Sequence, residues 1–290
     1  MQKLRTALTL YLLAISLLLV PSTGDAQEAE SVSVHWAYSA YFGTGWYRVS
    51  GDRDVFVVRM TPRWAWSEAS LGADGKRALG IHVKLPVSIG LDRFELDDPL
   101  SAVDANNVSF LSVNPGIDIE IPVTPIWSLR PYASVGRGQA LDGSNDAWTY
   151  WSGIKSRVAF RNGKLNWRLL NQIGFVGYTP NEGPSDTIWP VMAGLEFDYP
   201  MRRHSKDDDD LLFHWHVAYT AFRDDLDFSD DPTGAAAIPD QWEIGAALGR
   251  RDSPIRIWFM NFDRLGLGYR TSSNGELRGI TFVFRSLFDQ

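Results

Sequence analysis

The chain has 290 residues, 44% hydrophobic and 22% charged, which excludes a disordered or fibrous protein and leaves room for one large β domain. It has no Cys, which excludes a disulfide scaffold, a thiolate metal site, a Cys nucleophile and a lipidated Cys anchor. A net charge of -7 argues against a nucleic-acid partner, and a mean hydropathy of -0.18 is too low for a multi-helix membrane protein.

Taken in chain order, the first segment reads as targeting. Lys3 and Arg5 precede an apolar run from Ala7 to Val20, and Gly24 and Ala26 place small residues where a signal peptidase cuts. A signal peptide over 1–26 is expected, cleaved after Ala26. The run is shorter than the ~20 residues of a spanning helix. Residues 27–290 show no linker and no fixed repeat, and are expected to form one domain.

From there the sequence alternates with period 2, which is the strand signal. Over 81–91, Ile81, Val83, Leu85, Val87, Ile89 and Leu91 share one face, with His82, Lys84 and Ser88 on the other. Over 108–123, Leu111, Val113, Pro115, Ile117, Ile119 and Ile121 oppose Ser112, Asn114, Asp118 and Glu120. Over 164–175, Leu165, Trp167, Leu169, Ile173 and Phe175 oppose Asn166, Arg168 and Gln172, and over 189–199, Trp189, Val191, Leu195, Phe197 and Tyr199 oppose Glu196 and Asp198. Weaker alternation at 32–42, 54–67, 127–137, 146–160, 211–222, 241–249, 255–269 and 277–288 brings the expected total to about twelve strands. The apolar phase of 255–269 changes near Asn261 and Asp263, which suggests a bulge there.

A secreted sandwich would alternate too. Three features favour a barrel in a membrane. Many strands are long enough to cross a bilayer when tilted. Trp64, Trp66, Trp148, Tyr150, Trp189 and Tyr199 recur near strand ends, where interfacial girdles place amphipathic rings. The connections also alternate: short or basic ones at 122–125, 161–164 and 249–254, longer acidic ones at 92–107, 178–187 and 223–240. Asn162-Gly163 reads as a tight hairpin turn. In the last strand, Ile280, Phe282, Phe284, Ser286 and Phe288 share a face, as in terminal strands read by the bacterial barrel-assembly machinery. The fold class expected is an all-β, antiparallel transmembrane β-barrel.

The stretches NPGIDIEIPVTPIWSLRPYASVGRG (114–138), WSGIKSRVAF (151–160), GFVGYTPNEGPSD (174–186), GLEFDYP (194–200) and FRSLF (284–288) resemble the bacterial solitary outer-membrane autotransporter-like barrels. The resemblance spans roughly 32–290. It implies a twelve-stranded outer-membrane barrel related to autotransporter translocators but carrying no passenger, and it brings no functional residues with it. Only Gln27 to Ser31 would separate the cleavage site from the first strand, too little for a passenger or a pore-filling helix.

The face assignment puts Arg59, Arg63, Lys84, Arg130, Arg137, Lys155, Arg157, Arg168 and Arg285 inward, with Asp118, Glu120, Glu196, Asp198 and Glu243 as the inward acids. His214 and His216 share one strand face, and with His35 and Glu196 or Asp198 they could ligate a metal; paired lumen histidines are the plainer expectation. No metal and no cofactor is expected. Asp224, Asp225, Asp227, Asp230 and Asp231 form an acidic cluster in an expected outer loop. The functional expectation is a monomeric outer-membrane barrel, in contact with lipid and lipopolysaccharide, acting as a narrow, anion-preferring pore or as a structural component. The alternatives are a lipid-modifying enzyme, with no Ser–His spacing beyond His204-Ser205 to support it, and a surface-binding barrel using its acidic loops.

Overall fold

The computed structural model describes residues 42–49, 53–92, 108–141, 146–201, 211–226, 237–250, 255–257 and 260–289. The expected signal peptide, His35, His204, Ser205, Asp227, Asp230 and Asp231 lie outside them, as does nearly all of the expected strand at 32–42.

In chain order the strands are β1 (Gly45–Val49), β2 (Arg53–Met60), β3 (Arg63–Ser67), β4 (Ser70–Leu71), β5 (Arg77–Ala78), β6 (Gly80–Lys84), β7 (Val87–Asp92), β8 (Val108–Val113), β9 (Gly116–Pro122), β10 (Trp127–Ala140), β11 (Asp146–Asn162), β12 (Leu165–Pro180), β13 (Asp186–Ile188), β14 (Pro190–Met201), β15 (Leu211–Leu226), β16 (Ile238–Arg250), β17 (Ile255–Ile257), β18 (Met260–Phe262), β19 (Arg264–Thr271) and β20 (Leu277–Val283). β4 with β5, and β17 with β18, are small separate hairpins. The rest build a closed barrel of twelve antiparallel staves, because β2 continues into β3, β6 into β7, β8 into β9 and β13 into β14, and because β20 pairs with β1. Closure leaves no sheet edge to protect.

The staves alternate in burial as the period-2 pattern requires. Along β15, Leu212, His214, His216, Ala218, Thr220 and Phe222 are buried, and Phe213 and Trp215 are exposed. The outer surface is apolar: Ile154, Ile173 and Val191 stand opposite one another on three neighbouring staves, and Ile173 is 62% exposed. The two ends differ. The turn end carries the tight connection at residues 163–164, and the loop end carries the starts of β11 and β16.

Three neighbouring staves are broken at one level, each at a proline: Thr61-Pro62, Leu85-Pro86 and Asn114-Pro115. Proline cannot donate to the ladder, so a strand that contains one is interrupted there. The carbonyls still work: Leu85 N donates to Pro62 O at 3.0 Å, Asn114 N to Pro86 O at 2.9 Å and Val135 N to Pro115 O at 3.1 Å. One bond per neighbouring pair thus carries the wall across a crease. At the loop side of it, the Phe110 ring lies over Gly90 of the adjacent stave, where an added Cβ would fall 1.7 Å from the ring.

Three expectations about elements are corrected, and one stave, β1, was not expected. The first stave described is Gly45–Val49, downstream of 32–42; Phe42 precedes it without strand geometry. The segment 255–269 is not a bulged strand but a short hairpin, β17–β18, followed by β19. The tight turn is Gly163-Lys164, with Asn162 still paired to Leu165; Gly163, at φ 60°, takes the first central position, where a type II′ turn places Gly. Finally, the last strand stops at Val283 and does not run to Phe288. Its neighbours run out: β1 begins opposite Thr281, and the last bond to β19 is Arg264 N to Phe284 O at 3.3 Å. Phe284 still stacks on outward-facing Phe282, and Ser286 to Asp289 turn into the barrel.

Candidate functional site

The interior has two halves. Toward the loop end it is mainly apolar: Phe42, Tyr47, Val49, Val57, Phe110, Tyr132, Trp151, Val176, Tyr178 and Phe222 form one buried cluster, with the Arg270–Glu243 pair against Phe42 and Tyr47. Toward the turn end it is charged, because the inward positions of the staves there are Arg, Lys, Asp, Glu and His. At the crease between them, buried Asn114 bridges the halves: its Oδ1 accepts from the Thr149 hydroxyl at 2.5 Å, and its carbonyl accepts from the Ser134 hydroxyl at 2.7 Å.

The charged half is cross-linked stave to stave. Arg63 Nη2 donates to Asp118 Oδ1 at 3.2 Å, and Lys84 Nζ is 3.9 Å from the other carboxylate oxygen. Lys84 also lies 4.8 Å from the Tyr132 ring centroid. Glu120 accepts from Arg130 and, at 2.7 Å, from Arg157. Arg168 donates to Asp198 and reaches Glu196 at 3.5 Å. His214 Nδ1 is 2.6 Å from Asp198, and His216 Nε2 is 3.3 Å from Glu243, which also accepts from Arg270 at 2.6 Å. Arg59 sits 5.5 Å from the Trp151 ring and Lys155 is buried beside Tyr132. Arg137, expected inward, lies instead in the outward phase of β10 with exposed Val135, and pairs there with Asp146 near the loop end. Arg285 belongs to the segment beyond the last strand, not to a stave position facing inward. Each cation and acid removed from bulk water here has an ionic or ring partner, which is the condition for burying charge without a large net cost.

The C-terminal segment occupies this half. Glu196, fully buried, accepts from the Ser286 hydroxyl at 2.8 Å and from the Leu287 backbone N–H at 2.7 Å. Leu287 and Phe288 pack with Leu170, Met192 and Ala218, an apolar patch on inward positions. The Asp289 carboxylate accepts from Arg130 at 2.5 Å and from Arg63 at 2.9 Å, and the Phe288 carbonyl accepts from Arg130 at 3.1 Å. The guanidinium carbons of Arg130 and Arg157 lie 3.9 and 4.5 Å from the centre of the Phe288 ring. The space remaining among Arg59, Arg63, Lys84, Lys155, Phe288 and Asp289 has room for about one water molecule.

Sequence reasoning placed Phe288 on the outward face of a strand and did not see this docking. The available signal was weak: Leu170, Met192 and Ala218 are apolar residues in the inward phase, with nothing in the local sequence to say what covers them. Among the described residues, no group of three or more His, Asp and Glu side chains is placed to hold a metal ion. Of the acidic cluster, Asp224 is described and exposed, at the loop end of β15.

No family model matches the chain, and no curated protein matches it in sequence. Solved structures match in shape. The β domain of the Bordetella autotransporter BrkA superposes with a TM-score of 0.52 at 10% identity, over 82% of this chain and 91% of that one. The translocator domain of the autotransporter NalP from Neisseria meningitidis gives 0.48 at 10% identity, over 81% of this chain and 82% of that one. LpxR from Salmonella typhimurium gives 0.40 at 13% identity, over 81% and 90%. At these identities the likeness is one of fold. In fold, this chain is an autotransporter-like, closed twelve-stranded β-barrel.

Proposed function

We propose that the chain forms an integral bacterial outer-membrane barrel, closed at rest, serving as a structural component of the membrane or as a narrow pore that conducts only when its interior is rearranged. The observation that carries this is a pair of aromatic belts on the outer surface. At the turn end, Phe160, Trp167, Phe197 and Trp215 stand opposite one another on four adjacent staves, with ring centroids 4.1, 6.5 and 4.0 Å apart in succession. At the loop end, Tyr150, Phe175 and Trp189 form a second row on three of the same staves. The rows are ten positions apart from Tyr150 to Phe160 and eight from Trp167 to Phe175. At ~3.4 Å per residue and a tilt of ~40°, that is about 20–26 Å, close to the ~25 Å apolar band of an outer-membrane barrel. The outward side chains between them are mostly apolar, with Ile154, Leu169, Ile173 and Val191 exposed; Ser156 and exposed Asn171, opposite one another on β11 and β12, are polar exceptions. A soluble protein rarely presents an apolar band of that extent to water. The turn end then faces the periplasm and the loop end the exterior.

The interior supports the closed state. Aromatic side chains fill the loop half, and ion pairs with the C-terminal segment fill the turn half. Cell fractionation and heat-modifiable gel mobility test the location: the expected result is a folded, outer-membrane species. Recovery as a soluble periplasmic protein would refute it. Planar-bilayer recording in a KCl gradient tests the interior. The intact chain should show little or no steady current, and any current should prefer anions, as Arg and Lys rings do.

A further inference from the structure

The charged half of the interior holds an aromatic ring and a carboxylate, both supplied by the chain's own end. Among the described residues, Arg63, Lys84, Arg130 and Arg157 form ion pairs with two wall carboxylates, Asp118 and Glu120, and Arg63 and Arg130 pair with Asp289 as well. With Asp289 removed, Arg63 and Arg130 would each lose one of two carboxylate partners, leaving an excess of positive charge. That excess is expensive in a confined site unless another anion enters. The ring position is equally specific. Two guanidinium groups lie within 4.5 Å of the Phe288 ring centre, well inside the ~6 Å reach of a cation–π contact, and Leu170, Met192 and Ala218 supply the apolar floor. Glu196 contributes only neutral-donor bonds to the segment, through Ser286 and Leu287, so the anchoring depends on polar contacts that water or a ligand can replace.

We infer that the Arg63, Arg130 and Arg157 cradle is a binding station for small aromatic carboxylates, which the C-terminal Phe288-Asp289 pair occupies in cis, so that ligand and tail compete for it. The inference rests on the membrane-barrel reading for the side of access: the turn end, and therefore the periplasm. It deepens that reading by giving the turn half of the interior a means of rearranging.

The chain has no Cys, so one introduced thiol is a unique reporter. Met192, part-buried beneath Leu287, is replaced in Met192→Cys, and the folded protein in detergent is exposed to a small charged thiol reagent. With the tail intact, labelling should be at least tenfold slower than in the same background carrying Phe288→Ala and Asp289→Asn. Sodium benzoate, the probe ligand, should speed labelling of the intact-tail protein severalfold over sodium chloride at equal ionic strength. Ser286→Cys, on the tail itself, gives a second reporter that leaves the wall unchanged, and heat-modifiable mobility confirms folding of every variant. Fast labelling with the tail intact, or no difference between benzoate and chloride, would overturn the station. The membrane reading fails separately: benzoate-dependent labelling of a protein recovered soluble from the periplasm would support the station and refute the membrane barrel.

Discussion

The two halves of the interior are built from the same staves but held by opposite physics. Near the loop end, β1, β8, β11, β12 and β15 turn Tyr47, Phe110, Trp151, Tyr178 and Phe222 inward, and the barrel there is packed like a protein core. Near the turn end, β3, β9, β10, β11 and β14 turn Arg63, Asp118, Glu120, Arg130, Arg157, Glu196 and Asp198 inward, and order comes from directional ion pairs. The crease at Pro62, Pro86 and Pro115 lies between them. The comparison teaches that filling and closing are separable tasks: the apolar half closes the barrel by bulk, whereas the polar half is completed by a segment of chain beyond the last strand.

The largest effect should come from the apolar half. Phe110→Ala removes a ring that is 1% exposed, and the cavity left should cost about 3–5 kcal/mol. Urea titration of the protein refolded in lipid vesicles measures this, and the loss should be insensitive to salt. In the polar half, Glu196→Gln leaves Arg264 facing a neutral amide and Arg168 with Asp198 alone, and should cost about 1–3 kcal/mol; because Glu196 is fully buried, salt should change that loss little. A loss larger than that of Phe110→Ala would mean that ion pairs and not packing dominate the interior. The smallest effect is expected at the crease. Pro86→Ala restores an N–H but loosens the unfolded chain, and stability should fall by no more than about 0.4–1 kcal/mol. A larger loss would mean that the crease itself holds the halves together.

The number of staves was legible in the sequence because each stave faces two different environments, and period 2 records that contrast directly. β12 is the clearest case: Leu169, Ile173 and Phe175 alternate with Arg168, Gln172 and Gly174. The crease was less legible, although its cause is written in the sequence; Pro62, Pro86 and Pro115 sit inside patterned segments, and alternation continues through them while the ladder does not. β1 was missed because five residues, Gly45–Val49, carry too few alternations to register. The fate of the C-terminus was not legible at all. Phe282, Phe284 and Phe288 keep the strand phase, but whether a strand persists depends on neighbours far away in sequence, and β1 and β19 end before Phe288 does. The docking of Asp289 on Arg63 and Arg130 joins residues 226 and 159 apart, a relation that no local pattern contains.

The central claim is that the barrel turns its apolar face to lipid and its polar face inward. Neighbouring positions on β12 test it most directly, because Ile173 is 62% exposed and Gln172 is buried on the opposite side of the same strand. A fluorophore attached to Ile173→Cys, in vesicles whose acyl chains carry bromine, should be strongly quenched, and one attached to Gln172→Cys should not. Equal quenching at the two positions, or none at either, would contradict the account.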